Sequence, residues 1–128
     1  MRKLIWILCL AAVFAGIANA DEDHHHEELT QAQLGTVHFP VSCSPDAQKT
    51  FEEGVALLHS FWYEEAEKTF LDVQKQDPKC AMAYWGEAMS LWHQLWNHPD
   101  SATIKRASAE LKNTDKVKAK TEREHDYI

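Results

Sequence analysis

The chain carries none of the short motifs that mark common chemistries. There is no Cys-x-x-Cys-His for covalent haem, no Cys-x-x-Cys redox pair, no glycine-rich phosphate loop, no His-Glu-x-x-His and no Gly-x-Ser-x-Gly. Each absence removes a reaction class, and together they predict a protein that is not an enzyme. Glu64 and Glu65 come nearest to paired catalytic carboxylates, but adjacent residues on a helix do not face each other, and acids at a helix start are explained by its dipole. Positive charge is scarce as well: 13 Lys and Arg stand against 20 Asp and Glu, a formal net charge of −7. Such a surface gives no purchase to nucleic acid or anionic lipid heads and favours basic partners or cations. With 128 residues there is room for one small domain.

One uninterrupted apolar run is present, in residues 1–20, and it is short for a membrane span. Arg2 and Lys3 precede it, Ala18-Asn19-Ala20 follows as a small-x-small cleavage site, and Asp21-Glu22-Asp23 comes next. That order reads as a secretory signal peptide, which predicts a periplasmic or secreted protein with no membrane contact after cleavage. Cys9 leaves with the signal. The remainder is more acidic still, because Arg2 and Lys3 go and no carboxylate goes with them.

Residues 21–43 form an acidic leader and an arm. The leader, DEDHHHEELTQAQLGT, offers too little apolar surface to offset the entropy of ordering it. Its run His24-His25-His26 could chelate Zn²⁺ or Cu²⁺ weakly, or could be a solvated terminus without a held geometry. Pro40 keeps residues 37–41 out of a helix, so they should be extended. Ser44-Pro45-Asp46 then supplies an N-cap, a proline at the first helical position and an acid at the positive end of the dipole. Helical spacing of apolar residues continues to Ser60, again over 64–76 before Asp77-Pro78, over 81–96, and as a thin stripe over 100–112. Residues 112–120 read as a polar linker. Thr121 and Glu124 form a capping box, the start of a helix with nothing behind it, which suggests that the sequence is a fragment.

Laid on itself at an offset of 34, the stretch 47–96 repeats: Ala47 falls on Ala81, Leu57 on Leu91, His59 on His93 and Phe51 on Trp85. Gly54, Leu57, Ala66, Phe70 and Pro78 carry the pattern in the first unit, and Ala81, Ala83, Tyr84, Ala88 and Leu91 in the second. This resembles the tetratricopeptide repeat (TPR), and the wording HSFWYEEA followed by DPKCAMAYWGEAMSLWHQLW is similar to exported bacterial TPR proteins. The resemblance covers about the middle half of the chain. It implies an all-α fold, an antiparallel helix-turn-helix solenoid of about two repeats over residues 44–113, with residues 114–128 as linker and truncated further helix.

The resemblance also implies a concave face lined by the first helix of each unit. Phe51, Val55, Leu58 and His59 would line it in the first unit, and Trp85, Met89, Trp92 and His93 in the second. The expected function is an exported scaffold that holds a protein or peptide segment on that face, with no catalysis of its own, no required cofactor and an open oligomeric state. Two alternatives stand beside it. His59 and His93 at equivalent positions, with or without Met89, could hold copper or zinc in a metal-handling protein, although two histidines are too few ligands for a closed site. The repeats could equally be the N-terminal arm of a larger enzyme. Cys43 and Cys80 precede equivalent helices and could pair in an oxidising compartment, or remain free thiols or a metal pair.

Overall fold

The structure is a computed structural model that describes residues 31–93 and 97–128. The stretch read as a signal peptide, Cys9 and the histidine run at 24–26 lie outside the described residues. Those described residues are all-helical: α1 (Gln31–Leu34), α2 (Pro45–His59), α3 (Tyr63–Gln76), α4 (Ala81–Ser90), α5 (Ser101–Val117) and α6 (Glu122–Tyr127). None of these helices is long and apolar enough to cross a membrane.

Local chemistry sets where α2 begins and ends. The Ser44 hydroxyl accepts the Ala47 N–H, Pro45 opens the helix and Asp46 sits in its first turn, as the sequence predicts. At the other end the Trp62 N–H reaches the Leu57 carbonyl at 3.0 Å and the Phe61 N–H reaches the Leu58 carbonyl at 3.2 Å. These are the two bonds of a Schellman cap, whose left-handed position usually belongs to glycine. Here Phe61 occupies it at φ 63°. Only residues 60–62 separate α2 from α3, so the chain reverses and the two helices pack as a hairpin.

Helix α2 packs on α3, α3 on α4 and α4 on α5, and α4 also touches α2 and α6. The centre of the core is Phe70 of α3, fully buried and wedged between α2 and α4. Its ring lies against Gly54 of α2 and Gly86 of α4, at distances where a Cβ on either glycine would be in collision. Phe51, Ala66, Val73, Met82 and Ala83 belong to the same buried cluster. Burying a side chain of this size contributes about 1.5–3 kcal/mol, which is why these few large residues set the helix arrangement.

Cys43 and Cys80 form a disulfide, with Cα atoms 5.0 Å apart across 37 residues of sequence. Asp77 joins the same two regions beside it: its carboxylate accepts the Ser44 N–H at 2.9 Å and the Lys79 N–H at 3.0 Å. The start of α2 is thus tied to the turn between α3 and α4 by one covalent link and by a charge-assisted bond.

Three boundaries differ from the sequence expectation. Part of the leader, residues 31–34, is a helical turn. Helix α4 closes at Ser90 instead of running to residue 96: the Ser90 hydroxyl bonds back to the Gly86 carbonyl, and the last turn tightens as the Trp92 N–H takes the Met89 carbonyl. Helix α5 runs on to Val117 through most of the stretch read as linker, because Thr114 is buried there and Lys118 ends the helix only at φ 60°. Its lysines and asparagine stay on the surface, where polarity does not oppose a helix.

Candidate functional site

The wall formed by α2 and α4 is divided between two kinds of surface. At one end the arm covers it. Val37, Phe39 and Val41 are half-buried against the core while His38 and Pro40 are exposed, the alternation of an extended strand. The Phe39 ring lies 5.5 Å from Phe51 and 6.0 Å from Trp85, the two aromatic residues expected to line the groove. Helix α6 closes the other side. Tyr127 stands 5.2 Å from Phe39 and edge-on to Trp85 at 5.4 Å, and the Arg123 guanidinium sits 4.4 Å over the Phe39 ring.

Backbone polar groups of the arm are satisfied by side chains of α2 and α6. The Phe39 N–H donates to Glu52 Oε1 at 2.9 Å, and the Gln48 amide donates to the Phe39 carbonyl at 2.9 Å while accepting the Val41 N–H at 2.8 Å. From α6, Glu124 Oε1 accepts the Ser42 N–H at 2.6 Å and Arg123 donates to the Pro40 carbonyl at 2.9 Å, while Lys120, just before that helix, donates from Nζ to the Ser42 carbonyl at 2.6 Å. Glu124 also completes the capping box with Thr121. Burial acts to raise its carboxyl, but the N–H groups of Ser42, Lys120 and Thr121 outweigh burial and hold it below the usual glutamate value.

The opposite end of the wall carries exposed aromatic residues. Phe61 is 48% exposed and Trp92 46% exposed, the two most exposed large apolar residues described. Phe61 stands 6.3 Å from Tyr63, and the Tyr63 ring stacks on His93 at 4.5 Å. A cleft of about 320 Å³ runs along this group between Phe61, Trp62, Tyr63, Glu64, Glu65 and His93. A second, also about 320 Å³, shares Tyr63, Glu64 and His93 and is bounded by Glu67, Leu91 and Asp100. Carboxylates border both, so the open end is aromatic and acidic.

The residues expected to share one concave face are therefore not equivalent. Phe51 and Val55 are buried core, Trp85 is half-covered by the arm and α6, and Leu58 and Met89 are half-buried. Trp92 is exposed. The two histidines are placed differently: His59 is exposed at the end of α2, whereas His93 is held against Tyr63 at the start of α3. Among the described residues no group of three or more His, Cys, Asp or Glu could hold a metal ion.

Sequence reasoning missed a buried carboxylate. Glu87 of α4 is 3% exposed, accepts Gln74 Nε2 of α3 at 2.7 Å and faces Arg106 of α5 at 3.3 Å. Arg106 also binds Glu67. Burial pushes the Glu87 carboxyl up, the Gln74 hydrogen bond opposes that, nearby Glu110 adds to it and Arg106 opposes it. The cluster joins α3, α4 and α5 through partners that are all internal, so it reads as a structural junction. Nothing local in the GEAM sequence signals it. Compared with known proteins, the chain matches no family model, no curated sequence and no solved structure.

Proposed function

We propose that this chain is an exported, TPR-like interaction scaffold that holds a segment of another polypeptide and has no catalysis of its own. In this reading α2 with α3 and α4 with α5 are two units of an antiparallel helix-turn-helix solenoid, in keeping with the 34-residue self-similarity and with α4 packing on both α2 and α3. The disulfide suits a periplasmic or secreted location.

The observation that carries the proposal is the exposed Phe61 beside Tyr63, whose ring stacks on His93, with exposed Trp92 next to His93 in the chain. Phe61 is held at positive φ, which costs a bulky residue stability that glycine would not lose. An aromatic kept at that cost and exposed to solvent fits a contact residue. Glu64 and Glu65 at the rim, on a chain of net charge −7, favour a segment that pairs an apolar or aromatic anchor with Lys or Arg.

The test is selection of a displayed random peptide library against the protein. Recovered peptides should combine aromatic and basic residues, weaken as salt rises, and lose about tenfold or more in affinity to Phe61→Ala or Trp92→Ala. A library that yields no enrichment, or binders indifferent to both substitutions, sinks the reading.

A further inference from the structure

We infer that the closed end of the wall is a second peptide site, one for an extended segment with apolar residues at alternate positions and an aromatic at its centre, and that the arm occupies it in cis. This goes beyond the scaffold reading of the open end and stands on different residues. The three N–H groups that residues 39–42 possess are all taken by side-chain oxygens of Glu52, Gln48 and Glu124. The Phe39, Pro40 and Ser42 carbonyls are taken by Gln48, Arg123 and Lys120. Bonds of this kind read an extended backbone and are indifferent to the side chains it carries.

Specificity lies in the side-chain positions. Phe39 fills a cage made by Phe51, Trp85, Tyr127 and the Arg123 guanidinium, so an aromatic is required there. Val37 and Val41 face the core two residues either side and call for apolar groups. Pro40 needs no acceptor for a missing N–H, so proline is tolerated after the aromatic. The site thus takes Φ-x-aromatic-x-Φ, where Φ is aliphatic, and a partner carrying that pattern can exchange with the arm. Cys43 anchors the arm immediately beyond Ser42, so a displaced arm stays tethered at its base.

The probe is a fluorescent peptide, GTVHFPVS, which copies residues 35–42. Phe39→Ala should empty the cage and bind this peptide about tenfold or more tightly than the unmodified protein does, because the cis competitor is weakened. Binding to Phe39→Ala should fall about fivefold or more when Gln48→Ala is added, or when the peptide carries Ala in place of Phe. A folded Phe39→Ala chain, by circular dichroism and cooperative melting, that binds no peptide overturns the inference, as does equal binding to both proteins. Should Phe39→Ala not fold, titration of the unmodified protein to millimolar peptide decides: saturable binding abolished by the Phe-to-Ala peptide supports exchange, and its absence overturns it. Phe61→Ala leaves this binding unchanged, so the two readings fail separately.

Discussion

Phe70 lies so close to Gly86 that a Cβ on that glycine would stand 2.3 Å from Phe70 Cδ1. The corresponding distance from Gly54 is 2.8 Å, to Cε1 of the same ring. The aromatic is thus held between two helices that approach closely only because neither has a side chain at the contact. The packing of α2, α3 and α4 rests on that arrangement.

Gly86→Ala tests it. Alanine gains about 1 kcal/mol of helix propensity over glycine, while overpacking costs about 1–3 kcal/mol and more where the neighbour cannot move. Phe70 is fully buried and blocked by Gly54 behind it, so the clash wins. Urea unfolding should show a net loss of about 2 kcal/mol. Phe70→Leu, which withdraws the ring, should make the alanine nearly neutral in the double variant. Additive losses would contradict the contact.

The disulfide between Cys43 and Cys80 gives a second prediction. Closing a loop with a sequence separation of 37 removes enough freedom from the unfolded chain for about 3–4 kcal/mol of stability in the chain-entropy model. Unfolding followed with and without reductant should differ by that amount, and Cys43→Ser with Cys80→Ser should reproduce the reduced state. Asp77 retains its bonds to Ser44 and Lys79 in both, so the helices should still assemble.

What could be read from the sequence is what is decided within a few residues. The Ser44-Pro45-Asp46 start, the Thr121 and Glu124 capping box and the exclusion of residues 37–41 from a helix follow from local chemistry, and the structure contains all three. The disulfide was legible as one option because the repeat offset puts both cysteines before equivalent helices. Contacts across the chain were not. Glu124 looked like a cap alone, yet it also binds the N–H of Ser42, 82 residues away. The offset of 34 compares positions in sequence and carries no sign that Phe70 packs against both Gly54 and Gly86. Similarly, self-similarity put Phe51 and Trp85 on an open face because it carries no information about a segment outside the repeat, and Phe39 is such a segment.

Glu124 and Glu87 should respond to acid in opposite senses. The folded Glu124 carboxyl is held below the ordinary value of 4.5, so its contribution is present above that value and is lost as pH falls through its folded pKa. The folded Glu87 carboxyl is raised above 4.5, so its contribution is full below that value and is lost as pH rises through its folded pKa. Melting temperatures of Glu124→Gln should therefore lie below those of the unmodified protein at pH 7 and converge on them towards pH 3. Glu87→Gln should instead flatten the decline that this group imposes above pH 4.5. A constant gap for Glu124→Gln at every pH would mean that its carboxylate does not hold the arm.

Phe61→Gly separates stability from binding. The position has the two hydrogen bonds of a Schellman cap and a φ of 63°, where a Cβ is strained and glycine is not. Relief of that strain acts to stabilise by about 1–3 kcal/mol, against about 1 kcal/mol for the covered half of a ring that is 48% exposed, so the protein should gain stability. The same substitution deletes the aromatic that stands beside Tyr63 and Trp62 at the open cleft. The expected result is a higher melting temperature together with weaker capture of library-selected peptides. Phe61→Asn, which also tolerates the left-handed region, should behave in the same way. If both variants gain stability and keep full peptide affinity, Phe61 is an uncompensated cap residue and the contact surface must lie elsewhere.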